Sequence, residues 1–469
     1  SNKEAIIESQ LFQSLIPSSI NLADTNFLLW GILILIFVYL VKTVYLTYLS
    51  WRISKTVYGL EESLSRKLYN KYLNQSFAFH LENNSGQLIQ NVSGEVNQLA
   101  SIIMGGLNLI SEIFVVIGIA ILLLLIEPVG TLVSLAILLL FSFFYFLIFK
   151  GRLLKWGILR QDAEGKRIQH LQQGFGGIKE VKLFGAMPHF LTNFARHNVI
   201  FTNMNMLQNF FNVVPRYFIE LIAVLLLGVL FAILSLDNSN EPAGIIPVVG
   251  LFAVAAFRLM PSANRILVSI QSLRYASPII NTVYRELNLK DSEVYRNKSN
   301  IIEFENEICF KNVCFSYNTQ NSKALKDINL NISKGSFIGI IGKSGSGKST
   351  LINLLLGLLE PTDGEILIDS LSLKNNIRGW QNRIGYVPQD IFLIDDTLQN
   401  NIAFGIDLVD INSYRLKKAI ELSQLADYID GLSNGLETFV GERGVKISGG
   451  QRQRIGIARA LYNDPDILV

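Results

Sequence analysis

Residues 336–359 read SFIGIIGKSGSGKSTLINLLLGLL, in which an apolar β-rich run, a glycine-rich loop and an apolar helical run follow one another. Residues 342–349 match the pattern G-x-x-x-x-G-K-[ST] in the strand–loop–helix context that this pattern requires. The glycines let backbone N–H groups curl around phosphate oxygens, and the helix that follows directs its positive end at them. The alternative is a chance loop of glycine and serine, which the matching flanks disfavour. The stretch therefore predicts an α/β domain that binds a phosphate group.

The same loop predicts ATP and Mg²⁺ as cofactors. Lys348 would place a point charge at the β- and γ-phosphates, and Ser349 would offer its hydroxyl to Mg²⁺. The residues expected to contact the nucleotide here are Gly342, Lys343, Ser344, Gly345, Ser346, Gly347, Lys348, Ser349 and Thr350. Two strand-like runs precede the loop, at 307–317 and 324–332, and the first contains both cysteines, Cys309 and Cys314. Their spacing matches neither a disulfide framework nor a zinc site, which favours strand residues in a reducing compartment.

The first half of the chain has a different composition. Of the 469 residues, 50% are hydrophobic and 17% are charged, whereas a soluble domain carries roughly 25% charged residues. Five stretches approach the ~20 apolar residues that a membrane span needs: 27–49, 105–126, 129–149, 217–236 and 245–260. Buried helices of a large soluble protein are the alternative, which the uncharged run 129–149 argues against. The formal net charge of +3 is too small to predict a nucleic-acid partner.

The loops predict the orientation. Lys and Arg are frequent in 50–104 and 150–216 but absent from the short connections 127–130 and 237–244. By the positive-inside rule the long loops lie in the cytoplasm, and they read as helical extensions of the spans joined by short cross-helices. With five spans and a cytoplasmic C-terminal domain, residues 1–26 would be extracytoplasmic, yet they carry no export signal. We therefore expect a further span to precede the first one.

Four motifs in 301–469 resemble the ATP-binding-cassette (ABC) family. The phosphate loop is followed by YVPQD (386–390) and by ISGGQRQRIGIARAL (447–461), which resemble the family's Q-loop and signature, with Ile447 in place of the usual leucine. Tyr317 stands where the family has an aromatic residue that stacks on adenine. TFVGERG (438–444), which contains Glu442, resembles a segment that contacts the membrane domain in exporters.

The resemblance implies a composite site. Gln389 would join Ser349 at Mg²⁺, and Tyr317 would contact the adenine. Ser448, Gly449 and Gly450 open a helix, which by itself favours a second anion site. In the family, this segment together with Gln451 contacts the ATP held by the phosphate loop of a second subunit, which implies a homodimer closed by ATP.

The resemblance also bears on catalysis. After the signature helix the family has a buried strand that carries an Asp for Mg²⁺ and a Glu that polarises the attacking water, with a histidine later. DPDILV (464–469) resembles the approach to that strand, so these groups would lie beyond Val469 and no catalytic residue is assigned. We expect a cassette truncated before these acidic residues, with neighbouring strands exposed. A nucleotide-binding membrane protein that does not hydrolyse ATP is the alternative.

The membrane half resembles the exporter branch of the family, which has six spans before the cassette. The predicted architecture is a polytopic all-α membrane domain, 27–280, with its first span missing, a linker, 281–300, and the α/β cassette, 301–469. Coupling loops that dock on a cassette are expected at about 83–103 and 174–194.

Cations within the membrane half are the best clue to the cargo among the residues themselves. Arg258, Arg216 and Lys42 are candidate residues for an anionic headgroup. The alternative is a structural role, in which the cations pair with Glu112 and Glu220 or Lys42 reaches the lipid headgroups. We favour this structural role for Lys42 and Arg265. For Arg258 both roles stay open. Short runs at 93–99, 213–221 and 257–266 resemble the bacterial flippases of lipid-linked oligosaccharides. The resemblance implies ATP-driven flipping of a diphosphate-bearing glycolipid in a bacterial inner membrane, with export of another lipid, a peptide or a drug as the alternative.

Overall fold

The computed structural model describes residues 25–126, 128–236, 242–290, 303–317 and 323–469. They form two compact units, one from the described residues up to 70 and between 85 and 288, and the other from residues 71–84 and the described residues from 289 onward. Most of the expected extracytoplasmic segment 1–26 and the second half of the expected linker 281–300 lie outside the described residues.

The first unit is helical, as predicted. Its elements are α1 (Thr25–Leu73, whose last turn belongs to the second unit), α3 (Ser85–Ile89), a π-helical turn (Gln90–Glu95), α4 (Val96–Ile126), α5 (Pro128–Gly176), α6 (Ile178–Leu183), α7 (Met187–Leu236) and α8 (Pro242–Leu287). Between α1 and α3 lies α2 (Phe77–Glu82), which belongs to the second unit.

All five predicted spans fall within these helices. Four described helical segments are long and apolar enough to cross a membrane: Gly31–Leu73, Ser85–Leu125, Gly130–Gly176 and Met187–Val229. The fifth predicted span lies in α8, where several side chains fall outside the described residues. With 49 residues α1 is about 74 Å long at about 1.5 Å per residue, more than twice a hydrocarbon core of about 30 Å. This helix is therefore long enough to continue well beyond a bilayer.

Local sequence explains where these helices differ from the expected boundaries. The first cross-helix is α2, which precedes the expected coupling loop 83–103 because Ser76 caps it through a 3.3 Å bond from Phe79 N. The second, α6, lies inside the expected loop 174–194. At the other end, α8 continues to Leu287, into the expected linker, because Ala276, Ile279 and Val283 follow helical spacing and are buried together.

The described residues of the second unit form two sheets. The larger is antiparallel in the order β2-β1-β3-β4, formed by β1 (Glu307–Phe315), β2 (Leu325–Ser333), β3 (Asp363–Ile368) and β4 (Leu371–Ser372). In the smaller, β5 (Ile384–Gly385) pairs in parallel with β6 (Ile467–Leu468). The helices are α9 (Lys348–Leu355), α10 (Ile377–Gln381), α11 (Leu398–Ile402), α12 (Ser413–Leu422), α13 (Ala426–Asp430) and α14 (Gly449–Leu461). The α/β class and the strands at 307–317 and 324–332 are thus confirmed, and Cys309 and Cys314 are free thiols on β1.

Two hydrophobic clusters hold this unit together. One lies against the antiparallel sheet and includes Phe310, Leu354 and Trp380. The other lies between helices and includes Leu425 and Ile455.

The run 336–341 is predicted to be a strand, but it pairs with no strand among the described residues and leaves Phe337 101% and Ile341 97% exposed. An apolar β-rich run becomes a strand only where a neighbour completes its hydrogen-bond ladder.

Candidate nucleotide-binding site

The phosphate loop is shaped by glycines with positive φ. Gly345 has a φ of 79° and Gly347 a φ of 90°, in the left-handed region that other residues rarely adopt. Gly347 also lies close to the start of β2, since a Cβ there would come within 2.7 Å of Leu325 Cδ2 and 2.9 Å of the Ala324 carbonyl oxygen. Glycine at this position thus allows both the turn and the close approach.

Lys348 is the first residue of α9, and its ammonium folds back into the loop. Its Nζ donates to the carbonyl oxygens of Gly342 and Lys343, both at 2.8 Å. An ammonium has three N–H donors, so one remains for a phosphate oxygen at the centre of the loop. The neighbouring Ser349 is exposed at the start of the helix. Both residues therefore lie at the loop, and their roles at a nucleotide stay predictions.

Tyr317 is connected to this loop by its hydroxyl, which lies 3.2 Å from Thr350 Oγ1. Its ring packs edge-on against Phe315, with centroids 4.9 Å apart and an interplanar angle of 90°. The structure therefore brings the expected adenine-stacking residue to the first turn of the phosphate-binding helix.

Gln389 is exposed beyond the carboxyl end of β5. The chain leading to it is held by the residue that follows β6, since Val387 N donates to Val469 O at 2.9 Å. Its position at the end of a parallel strand is typical of ligand-binding residues in α/β sheets.

The signature segment begins α14 through a capping box. Gln451 N donates to Ser448 Oγ at 3.3 Å, and Ser448 N donates to Gln451 Oε1 at 3.0 Å. Gly449 and Gly450 are exposed, and a Cβ on either would meet nothing within 4 Å. The N-terminus of α14 is thus rigid and open to an approaching anion.

The two halves of the expected site are anchored in different clusters. The phosphate-loop helix α9 buries Leu354 and Leu355 in the cluster at the antiparallel sheet. The signature helix α14 buries Ile455 and Ala458 in the cluster between helices. Each half is therefore positioned by its own core.

Sequence reasoning missed the anchor of the signature helix. Arg459 donates to the carbonyl oxygens of Asn401 at 2.9 Å and Phe392 at 2.8 Å, and its guanidinium lies 4.5 Å from the Phe404 ring centroid. Burial lowers the pKa of Arg459 from its usual value. Asn401 is fully buried and bonds the backbone of Ile394 at both N and O. Because most of the partners are backbone groups, no side-chain motif could have indicated this anchor.

The candidate cargo residues differ in their surroundings. Arg216 Nε lies 2.8 Å from Glu220 Oε1, and Arg265 Nε lies 2.6 Å from Glu112 Oε1, so both form the ion pairs that the alternative interpretation predicted. Lys42 Nζ lies 5.0 Å from the Tyr39 ring centroid. The Arg258 side chain lies outside the described residues.

Comparison with known proteins covers both units. Residues 5–260 match the family model of the ABC transporter transmembrane region, and residues 325–469 match that of the ABC transporter. An ATP-dependent lipid A-core flippase of Wigglesworthia glossinidia brevipalpis is 28% identical over 438 residues, which is 90% of this chain and 72% of the relative. A relative from Staphylococcus aureus, whose name describes a multidrug export ATP-binding/permease protein, is 31% identical over 429 residues, covering 89% of this chain and 72% of the relative.

The fold has a solved counterpart. A bacterial Atm1-family ABC exporter with ATP bound superposes with a TM-score of 0.76 at 21% identity, over 88% of this chain and 72% of that one. Together with the matches to both halves, this confirms the resemblance that the motifs indicated. The chain belongs to the ABC transporter family, with the exporter arrangement of a helical membrane domain followed by a cassette that hydrolyses ATP to drive transport.

Proposed function

We propose that this exporter works as a homodimer and flips a lipid-linked, diphosphate-bearing oligosaccharide to the outer leaflet of a bacterial inner membrane. The relatives named as lipid A-core flippases support a glycolipid cargo, and their bacterial sources support the membrane. The frequent Lys and Arg of the long loops support a cytoplasmic cassette.

The homodimer is supported mainly by one observation: the phosphate loop and the signature helix pack against different hydrophobic clusters. One domain presents two anion-binding helix N-termini, those of α9 and α14, each positioned by its own core. A head-to-tail pair of chains would use both, with each ATP lying between Lys348 of one subunit and Ser448 of the other. ATP then closes the dimer because it contacts both partners.

Mg²⁺ would be held at the phosphate loop of each site. The Ser349 hydroxyl and the Gln389 amide both offer the oxygen ligands that this ion prefers, and both side chains are exposed beside the elements that would present them. The remaining ligands would be phosphate oxygens and water, which is usual for Mg²⁺ bound with a nucleotide.

Closure of the dimer would reach the membrane helices through the cross-helices. At the second of these, around α6, Leu183 is 74% and Phe184 75% exposed, which is unusual for large apolar side chains in a cytoplasmic loop. We infer that these two residues dock on a cassette and turn its movement into a rigid-body switch of the helices.

Transport in proteoliposomes tests the proposal. The protein should move a fluorescent polyprenyl-diphosphate oligosaccharide across the bilayer only with ATP and Mg²⁺, and Lys348→Ala should abolish the movement. A control with a neutral glycolipid of the same sugar and tail should show no ATP-dependent movement. If the protein hydrolyses ATP but moves neither compound, the glycolipid cargo is wrong.

A second candidate cargo is an apolar drug-like compound. The first unit has an apolar cavity of about 240 Å³ lined by residues that include Leu123, Leu138 and Phe252. The S. aureus relative carries a multidrug export name. Stimulation of ATP hydrolysis by apolar amines, and not by lipid diphosphates, would favour this function over glycolipid flipping.

A further inference from the structure

Two histidines are stacked across the hairpin that α5, α6 and α7 form in the helical unit. His170 on α5 lies against His197 on α7, with ring centroids 5.2 Å apart and an interplanar angle of 23°. His170 lies about two helical turns before Ile178, the first residue of α6. The two rings, called here the histidine pair, therefore join the two long arms of the hairpin close to α6.

Farther from α6, Arg167 joins the same two arms. Its Nη1 donates to Asn198 Oδ1 at 3.4 Å, and its guanidinium lies 3.9 Å from the Phe201 ring centroid. A guanidinium stays charged at every pH at which proteins are folded, so this contact does not change with pH. The histidine pair, in contrast, consists of groups that titrate near neutrality.

The position of the His197 ring favours its neutral form. Its Nδ1 is buried and has no hydrogen-bond partner among the described residues. A neutral imidazole carries a proton on only one of its two nitrogens, whereas the charged ring carries a proton on both. Protonation would therefore place an N–H donor without an acceptor at a buried position, which costs free energy.

The charges near the ring act in the same direction. Burial, together with the charges of His170, Lys166 and Arg196, lowers the pKa of His197 from its usual value, and only the charge of Asp162 acts in the opposite direction. Lys166 Nζ lies 2.8 Å from Asp162 Oδ2, so this carboxylate already has a cation beside it. Two protonated rings at the observed distance would in addition repel each other.

Other charged groups on the surrounding elements do not offset this repulsion. Arg160 is paired with Glu95 of the π-helical turn and with Glu164, and Arg285 on α8 is paired with Glu286. Residues 85–89 of α3 carry no charge. The other titratable groups of the hairpin near α6 are His189 on α7 and Lys179, Glu180 and Lys182 on α6 itself, a set with a net positive charge.

We propose that the histidine pair is a proton-sensitive contact, which holds α5 and α7 together while His197 is neutral and releases them, with α6, when both rings are protonated. A fall in cytoplasmic pH would then loosen the end of the hairpin. The consequence for transport rests on the proposed function, in which α6 docks on a cassette.

The direction of the effect follows from proton binding. Because the pKa of His197 is lowered in the stacked hairpin, the open hairpin binds a proton more readily than the stacked one. The stacked form is therefore fully stable above the ordinary histidine pKa of about 6.5 and loses stability as the pH falls below it. A group that is protonated only in the open form raises the opening equilibrium by up to about fourfold at pH 6.0 and about tenfold at pH 5.5.

Hydrogen–deuterium exchange of the full chain in nanodiscs, without ATP or cargo, tests the proposal. The readout is the exchange of the amides of residues 171–196. His197→Phe keeps a ring that can stack but removes the proton. Comparing it with wild type at the same pH cancels the pH dependence of exchange itself. Between pH 7.5 and pH 5.5 the ratio of the wild-type rate to the His197→Phe rate should rise by up to about tenfold. His197→Arg, which carries a permanent charge, should exchange fast at both pH values.

The matched control is His189→Phe, another histidine of α7, whose ring lies beside Phe190 and not beside a histidine. It should keep the pH response of wild type. His170→Phe should have a smaller response than wild type, which keeps the test usable if His197→Phe does not fold. An equal pH response in wild type and His197→Phe, or equal effects of His189→Phe and His197→Phe, would overturn the proposal.

ATP hydrolysis by the same variants in proteoliposomes separates this proposal from the proposed function. If α6 docks on a cassette, wild type should lose more activity between pH 7.5 and pH 5.5 than His197→Phe does. If the exchange depends on the histidine pair but both proteins have the same pH profile of hydrolysis, the proton-sensitive contact stands and the docking of α6 is wrong. If the exchange does not depend on the pair, the contact is wrong whatever the protein transports.

Discussion

At the start of the phosphate-binding helix, position 347 needs both a positive φ and the absence of a Cβ, and only glycine meets both requirements. Its φ of 90° is strained for a residue with a Cβ, and that Cβ would overlap Leu325 Cδ2 and the Ala324 carbonyl oxygen. The glycine pattern read from the sequence therefore has a specific structural cause, which is the contact of the loop with the first residues of β2.

We expect Gly347→Ala to lose nucleotide binding and to destabilise the cassette by about 1–3 kcal/mol, since strain and overlap act together. Binding of a fluorescent ATP analogue and the unfolding temperature of the purified protein measure the two effects. Gly339→Ala is the matched control, because Gly339 precedes the same loop, has no positive φ, and a Cβ there would meet nothing within 4 Å. Equal losses in both variants would contradict this explanation.

At the scale of elements, α2 shows how a short helix can be built and fixed in place. Ser76 caps it, and the Phe79 ring stacks on Tyr72 at a centroid distance of 6.0 Å. His80 Nε2 lies 2.9 Å from the Tyr72 carbonyl oxygen, which ties α2 to the end of α1. Phe77 and Ala78 pack against the hydrophobic cluster of the cassette sheet. Within the second unit, α2 is therefore fixed to the cassette core.

Because of this packing, Phe77→Ala should lower the amount of cargo moved per ATP hydrolysed several-fold, with a smaller effect on hydrolysis itself. Transport and phosphate release are measured on the same proteoliposomes. Leu81→Ala is the control, since Leu81 lies on the same helix and is 54% exposed. Should Phe77→Ala reduce transport and hydrolysis in equal proportion, α2 would be part of the cassette core without a coupling role.

For other elements, the sequence predicts only some of the contacts that hold them in place. A polar group formed by the buried Gln90, Glu95 and Arg160 and the partly buried Glu164 joins the π-helical turn to α5. Arg160 Nη2 lies 3.5 Å from Glu95 Oε2, and Arg160 Nη1 lies 2.6 Å from Glu164 Oε2. The pair Arg160–Glu164 is visible as helical i, i+4 spacing, but Glu95 is 65 residues away from Arg160 in the chain. No local pattern indicates which distant carboxylate a buried arginine will meet.

At the scale of the whole molecule, the proposed composite site predicts complementation between inactive chains. A chain with Lys348→Ala has a defective phosphate loop, and one with Gly449→Glu has a defective signature. In a head-to-tail heterodimer of the two, one site combines both defects and the other combines both intact halves. Random mixing should restore about a quarter of the wild-type sites, since about half of the dimers are heterodimers with one intact site each.

ATP hydrolysis by the co-expressed mixture measures this complementation. Each inactive chain expressed alone serves as the control and should remain inactive. Activity of the mixture no higher than that of the single variants would mean that each chain completes its own site, and the proposed homodimer would be wrong.

The sequence by itself determined the features that depend on local order. The phosphate loop, the capped signature helix and the apolar helices all follow from residues close together in the chain, because glycines, caps and hydrophobic periodicity act within a few turns. Charge in the loops likewise predicted an orientation without any structure.

Only the tertiary structure decided which distant groups meet. It assigned Glu112 to Arg265, brought Tyr317 to Thr350, fixed α14 through Arg459 and Asn401, and stacked His170 on His197. It also showed that residues 336–341 do not form a strand, despite their β-rich sequence. The physical reason is the same in each case: a long-range contact or a ladder depends on a partner from elsewhere in the chain, and the residue's own neighbourhood carries no record of that partner.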